Sequence, residues 1–401
     1  MAKSVKVSFR GSQGAMLDAR LELPAGPPRA FALFAHCFSC SKDNLAAARV
    51  SRALAMRGIA VLRFDFTGLG ASEGDFANTN FSSNVEDLIR AADFLRERYE
   101  APALLVGHSL GGAAVIVAAA KIPEVKAVAC IAAPADAANV TKQFADDVDT
   151  IARDGEAMVR LEGRPFTIRR QFLDDIADAK IETAARDLKA ALLVAHSPAD
   201  ATVDIANATR LFVAARHPKS FVGLEGADHL LSRREDAEHI ARIVAAWAER
   251  YLPEGHLPAP PEAMPEKNSA VVSETGAGTF LSWASAGRAR FLVDEPEDVG
   301  GLDAGPSPFE LLSVALAACT TMTLRMYARH KKMELGRITA RVTHAKEDGA
   351  DVFSRAISVE GGVSGELQDK LVEIANKCPV HRTLERGAHI HTAYGAGSSD
   401  A

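Results

Sequence analysis

"LLVGHSLGGAA" (residues 104–114) passes from a block of apolar residues straight into a block of small ones, with a single serine at the join. The first block suits a buried strand and the second a closely packed helix. Gly107-His108-Ser109-Leu110-Gly111 then falls on the turn between them, where a serine is held on strained backbone. Glycine on either side lets neighbouring backbone pass close with no Cβ in the way. The helix that follows brings unpaired N–H groups and a partial positive charge to the place where an oxyanion would form. The pentapeptide alone recurs by chance; its position at a strand-to-helix junction makes Ser109 a candidate nucleophile.

A serine hydroxyl needs a base, and the base needs a carboxylate to orient it. "LLVAHSPADATV" (192–203) places Asp200 just past another apolar run, and "VGLEGADHLL" (222–231) places His229 past the next. The chain order Ser109, Asp200, His229 is the one found on a doubly covered parallel sheet with this elbow. Taken singly, Asp200 reads equally well as a turn residue and His229 as a surface histidine. Asp204 and Asp228 are the alternatives for the carboxylate.

Further apolar runs at 30–36, 59–66, 125–133, 189–196 and 219–226 alternate with amphipathic patterns such as "NVEDLIRAADFLRERY" (84–99). Continuous apolar strands separated by helices predict an α/β fold, a mostly parallel sheet with helices on both faces. "KSVKVSF" and "LDARLELP" at the start read as an antiparallel edge hairpin. "LPEGHLPAPPEAMPEKN" (252–268) carries five prolines and reads as a linker. It divides the chain into residues 1–251 and 269–401. The second part has an α+β order: strand-like runs at 280–285 and 288–293, a helix at 308–330, a hairpin turning at Asp348-Gly349, a helix at 365–378 and a last strand, "AHIHTAY".

A chain of 401 residues with 48% hydrophobic and 24% charged residues fits a soluble two-domain protein. Its formal charge of −6 gives no reason to expect nucleic acid or an anionic membrane as partner. The N-terminus lacks the apolar core of a signal peptide, and no apolar run approaches membrane-spanning length. Five cysteines make no disulfide framework in a chain this long, so a cytoplasmic, reduced setting is expected. Cys37 and Cys40 read as small residues packed beneath a loop, or as a pair whose oxidation would distort it.

Residues 15–251 resemble the α/β-hydrolase superfamily, and "FAHCFSCSKD" with "LRFDFTGLGASEGDF" resembles its cinnamoyl-esterase-like members. The resemblance implies a serine hydrolase that cleaves carboxylic esters through an acyl-enzyme. Ser109 would attack, His229 would carry the proton and Asp200 would orient the imidazole. Backbone N–H groups of Leu110 and Phe38 would hold the oxyanion. Cys37 stands where these members usually have glycine, a strain if the position needs positive φ. "GLGASEG" (68–74) is not a dinucleotide fingerprint, because it opens no helix. Residues 134–188 are expected to cover the site as a cap.

In the second part Ser307-Pro308-Phe309-Glu310 forms a capping box with proline at the first helical position. The helix it opens is apolar on nearly every side, so it reads as central and buried, with Cys319 inside. Cys378 shares a stripe with Leu367, Leu371 and Ile374, which predicts that both thiols point into one interior. "GPSPFELLSVALAACTTMTLRMYA" with "IANKCPVHRTL" resembles the OsmC family over roughly 270–395. That resemblance implies a peroxidatic Cys319, a resolving Cys378, an organic hydroperoxide substrate, a dithiol reductant and an intertwined homodimer. It also implies a thiolate-supporting arginine, for which Arg288 and Arg290 are the candidates. The peroxidases' glutamate position falls on Phe309, with Glu310 one residue later. The alternative is a non-catalytic dimerisation or ligand-binding module. No metal or dissociable cofactor is called for.

Overall fold

The computed structural model describes residues 3–161, 163–253 and 265–394. The chain folds as two compact units, one within residues 1–262 that also takes in Thr275–Gly278, the other holding the remainder. Most of the proline-rich stretch, residues 254–264, lies outside the described residues.

The first unit is built on an eight-stranded sheet in the order β1-β2-β4-β3-β5-β6-β9-β10. Its strands are β1 (Lys3–Arg10), β2 (Met16–Leu23), β3 (Ala30–Ala35), β4 (Ile59–Phe64), β5 (Pro102–His108), β6 (Ala127–Ile131), β9 (Ala191–His196) and β10 (Lys219–Gly223). β1 and β2 are antiparallel to their neighbours; the rest run parallel. Every residue of β3, β4, β5, β6 and β9 is buried. This burial on both faces is why those strands read as unbroken apolar runs.

Helices α1 (Leu45–Ala55) and α8 (Arg234–Ala248) bury alanine, valine and isoleucine against one face. α2 (Phe81–Arg98) and α3 (Leu110–Ala118) cover the other. Asn80 and Ser83 close α2 with a reciprocal capping box. The segment expected to be a cap contains α4 (Val148–Asp154), the hairpin β7 (Glu156–Leu161) and β8 (Arg164–Arg169), α5 (Arg170–Asp178) and α6 (Ile181–Asp187). The sequence patterns did not foresee that hairpin. α7 (Ala206–Ala214) follows β9.

Charged residues in and around the apolar strand β4 are neutralised locally. Arg63 pairs with Glu22 at 2.8 Å, and Lys42 pairs with Asp65 at 2.7 Å and Asp18 at 2.8 Å. Burial works against the Lys42 charge, but its bonds to Asp18 and Asp65 outweigh burial and hold its pKa above the ordinary range.

The second unit has a three-stranded antiparallel sheet of β11 (Ala270–Glu274), β12 (Ser282–Ala286) and β13 (Ala289–Val293), then α9 (Pro308–His330). The hairpin of β14 (Ile338–Glu347) and β15 (Ala350–Val359) turns through Asp348 and Gly349, both at positive φ. α10 (Gly365–Ala375) and α11 (Pro379–Arg386) follow. Pro379 therefore opens a helix, with Cys378 as its N-cap, and residues 388–394 form no strand. Proline is as acceptable at a first helical turn as after a last one, so sequence alone did not decide between them.

The expectation that α9 is buried fails. Leu316, Thr320, Leu324 and Ala328 face the hairpin and α10, whereas Val314, Met322 and Met326 are 60%, 65% and 71% exposed. At 23 residues α9 is also long and apolar enough to cross a membrane, by length and composition only, contrary to the expectation that no run reaches that length.

Gly111 tests the packing beneath the elbow. A Cβ there would lie 2.3 Å from the His36 carbonyl oxygen, so Gly111→Ala should cost about 1–3 kcal/mol of unfolding free energy. Gly223→Ala, which would meet nothing within 4 Å, should change it by less than about 0.5 kcal/mol in the same urea titration.

Candidate active site

β5 ends at His108 and α3 starts at Leu110, so Ser109 alone makes the turn. Its backbone is at φ 55°, ψ −125°, a region that non-glycine residues occupy only at a cost. The amide of Ser109 donates to Ile131 O at 2.9 Å, which ties the turn to β6. Glycine at 107 and 111 is required here: a Cβ on Gly107 would lie 2.3 Å from Gly111 O.

Ser109 is buried beside two loops from the carboxyl ends of later strands. His229 Nε2 lies 3.0 Å from Ser109 Oγ, and His229 Nδ1 lies 2.7 Å from Asp200 Oδ2. Asp200 Oδ1 accepts from the amides of Thr202 and Val203 at 2.8 and 2.9 Å. Burial alone would raise the Asp200 pKa, but the His229 bond and these amides outweigh it and keep the carboxyl below its usual range. The alternatives do other work: Asp204 accepts from Ala206 N and Asp228 from Ser232 N.

Two histidines that sequence reasoning passed over hold the frame. His108 Nε2 donates to the carbonyl of His229 at 2.6 Å and so anchors the base's own backbone. His36 Nδ1 donates to Cys37 O at 2.7 Å, and its Nε2 accepts from Phe66 N at 3.4 Å. In a planar trans peptide the Phe38 N–H points opposite to that carbonyl. Among the described residues neither the Phe38 nor the Leu110 N–H has a hydrogen-bond acceptor. Both residues line one small hollow with His36 and Gly111.

Cys37 is not among the described residues with positive φ, so its side chain causes no strain of that kind. Cys37 and Cys40 lie side by side in the buried loop after β3, Cα to Cα 5.2 Å. Cys130 is packed in the sheet, and burial pushes its thiol up to about 12.

In the second unit Glu310 is spent on the capping box with Ser307, and Phe309 stacks on His344 at 4.3 Å. Arg288 and Arg290 are exposed. The cation that reaches the interior is Arg355, which donates to Thr320 Oγ1 at 2.9 Å and Asn376 Oδ1 at 2.7 Å. Its signal was an arginine on the in-facing side of β15, among Phe353, Ile357 and Val359. Cys378 is fully buried and accepts from His381 N at 3.3 Å. The α9 residue beside it is Thr320, at 3.9 Å, because Cys319 lies off the buried stripe. The two thiols therefore do not share one interior in the single chain. A helix apolar all round gives no sign of which face is covered.

A serine on a strand-to-helix elbow, backed by histidine and aspartate on successive strand ends, defines a class of hydrolytic enzymes. The model of the alpha/beta hydrolase family matches residues 32–271, more than half of the chain, and the chain belongs to that family. Residues 300–393 match the family of OsmC-like proteins. The esterase domain of a Rhodothermus marinus protein is similar at 49% identity and TM-score 0.52, covering 62% of this chain and 99% of that one. Est1E of Butyrivibrio proteoclasticus, solved with ferulic acid bound, shares the fold at 18% identity and TM-score 0.50, covering 61% and 99%. Monoglyceride lipase of Rattus norvegicus is 33% identical over 117 residues, 28% of this chain and 37% of the lipase. The chain thus spans little more than a third of that relative's length.

His108 sets a pH dependence. Burial above all, with the His229 charge adding to it, lowers its pKa from 6.5 to about 4. Above pH 6.5 the group is neutral folded or unfolded. Between 6.5 and 4 only the unfolded chain takes the proton, so stability falls as pH falls. The stability advantage of the wild type over His108→Gln should shrink by roughly 2–3 kcal/mol between pH 7 and 4.5, measured by urea denaturation.

Proposed function

We infer that the first unit hydrolyses carboxylic esters through an acyl-enzyme. The observation that carries this reading is the unbroken line from Asp200 through His229 to the Ser109 hydroxyl, beside two backbone N–H groups that have no acceptor among the described residues. Ser109 Oγ attacks the acyl carbon as His229 Nε2 takes its proton. The oxyanion forms against the N–H groups of Leu110 and Phe38. Collapse expels the alcohol, which receives the proton from His229. Water then repeats the sequence, releasing the acid and restoring the serine. Asp200 keeps the imidazole in the tautomer that presents a bare Nε2 and stabilises the imidazolium between steps.

For the second unit the favoured reading is a dimerising module. Leu312, Ala315, Cys319, Met322 and Met326 recur at alternating intervals of three and four, the spacing of a helix–helix seam. That seam is uncovered in the single chain, and a second copy of it would bury it. Thiol-dependent peroxide reduction is the second reading, supported by the OsmC-like match. There the Cys319 thiolate would cleave the O–O bond, expelling an alcohol and becoming a sulfenic acid. Cys378 would condense with it, releasing water, once a rearrangement or a second copy had brought the two sulfurs together, and a dithiol would reopen the disulfide.

Ser109→Ala should lower kcat/KM for p-nitrophenyl butyrate by about 10⁴-fold or more while leaving the unfolding transition in place. A fluorophosphonate should add its mass to the wild type at Ser109 and to the variant nowhere. Wild-type levels of either would reject the reading. Met322→Lys should shift the sedimenting species from twice to once the chain mass. Cumene hydroperoxide consumption with dihydrolipoamide, lost in Cys319→Ser, would favour peroxide reduction over a purely dimerising role.

A further inference from the structure

Two hollows open on Ser109. One, of about 250 Å³, is lined by Leu110, Pro134, Val140 and Val203, with Lys142 at its wall. The other, of about 370 Å³, is lined by Phe38, Leu161, Leu230 and His229, with Arg160 at its wall. Ser109, Gln143 and Thr202 line both and so form the divide.

His229 lines only the second hollow. The imidazole must hand its proton to the departing oxygen, so the alcohol of the ester leaves on the His229 side. The hollow without His229 then takes the acyl chain. This assignment rests on the esterase reading above.

The charge lining these hollows runs against that of the whole chain. The protein carries a formal −6, yet among the described residues each hollow has one cation in its lining and neither has a carboxylate. Arg160 belongs to β7, whose hairpin is fixed to the loop carrying Phe38 by a hydrogen bond from Arg164 to the Ser39 carbonyl. Among the described residues Arg160 makes one hydrogen bond, to Gly163 O at 3.2 Å, and has no carboxylate partner. The rest of its donor fork is open, and a guanidinium matches a carboxylate in two-point geometry.

We propose that the alcohol portion of the substrate carries a carboxylate and that Arg160 is the residue that selects it. The acyl portion is uncharged and lies among Leu110, Pro134, Val140 and Val203. Arg160 acts on binding and on orientation of the leaving group, and takes no part in proton transfer.

The test pairs esters that differ only in charge on the leaving group. 4-(Butanoyloxy)benzoate is compared with its carboxamide, and 3-[4-(butanoyloxy)phenyl]propanoate with its carboxamide, using the full chain at low and high salt. For at least one pair kcat/KM should favour the carboxylate about three- to tenfold, mainly through KM, and the preference should shrink as salt rises. Arg160→Gln should bring that ratio to about one, and Arg160→Glu should invert it. Lys142→Gln should leave the ratio in place. A ratio near one for both pairs in the wild type overturns the proposal while the esterase reading stands. Equal losses from the Arg160 and Lys142 variants overturn the assignment to Arg160, since they show a diffuse field. Cleavage of none of the four esters, nor of p-nitrophenyl butyrate, is instead a failure of the esterase reading.

Discussion

The first turn of α3 lies directly on the backbone that follows β3, and that contact is possible only because position 111 lacks a Cβ. Close approach is what brings Leu110 and Phe38 to one hollow, although 72 residues separate them in the chain. The turn at residue 109, next to this contact, is made by one residue at positive φ. Backbone strain at Ser109 is thus the local cost of a packing arrangement that serves the site, and the surrounding sheet supplies enough burial to sustain it.

The loop after β3 is held from its other side by charge. Lys42 reaches Asp65 and Asp18 in the interior, and Arg63 reaches Glu22 beneath it. Buried ion pairs are weak contributors to net stability, because desolvation cancels most of the attraction. Their geometry is nevertheless exacting. The Lys42 amide and ammonium both bond to one carboxylate, so the chain leaves the Phe38 region in a fixed direction. Cys37 and Cys40 are both buried in the same short stretch.

How much of this was legible depended on whether the residue's reason was local. The elbow could be read because a glycine-flanked serine between an apolar strand and a small-residue helix suits few roles besides a nucleophile's. Asp200 and His229 could be singled out by strand-end position, but their meeting with Ser109 depends on sheet order, which no local pattern encodes. His36 and His108 were missed because each sits at a strand end where a histidine has no distinctive spacing. Arg63, Asp65 and Arg355 carried a readable sign, a charge in an in-facing apolar slot, that went unused. α9 was misjudged for a physical reason: hydrophobicity on all sides says that a helix will be covered, not by which chain.

The bond from His108 to the carbonyl of His229 has a mechanical consequence. His108 is the residue immediately before the serine, so the strand bearing the hydroxyl also grips the main chain bearing the imidazole. That bond therefore ties the end of the strand before the hydroxyl directly to the backbone of the base, across 121 residues of chain.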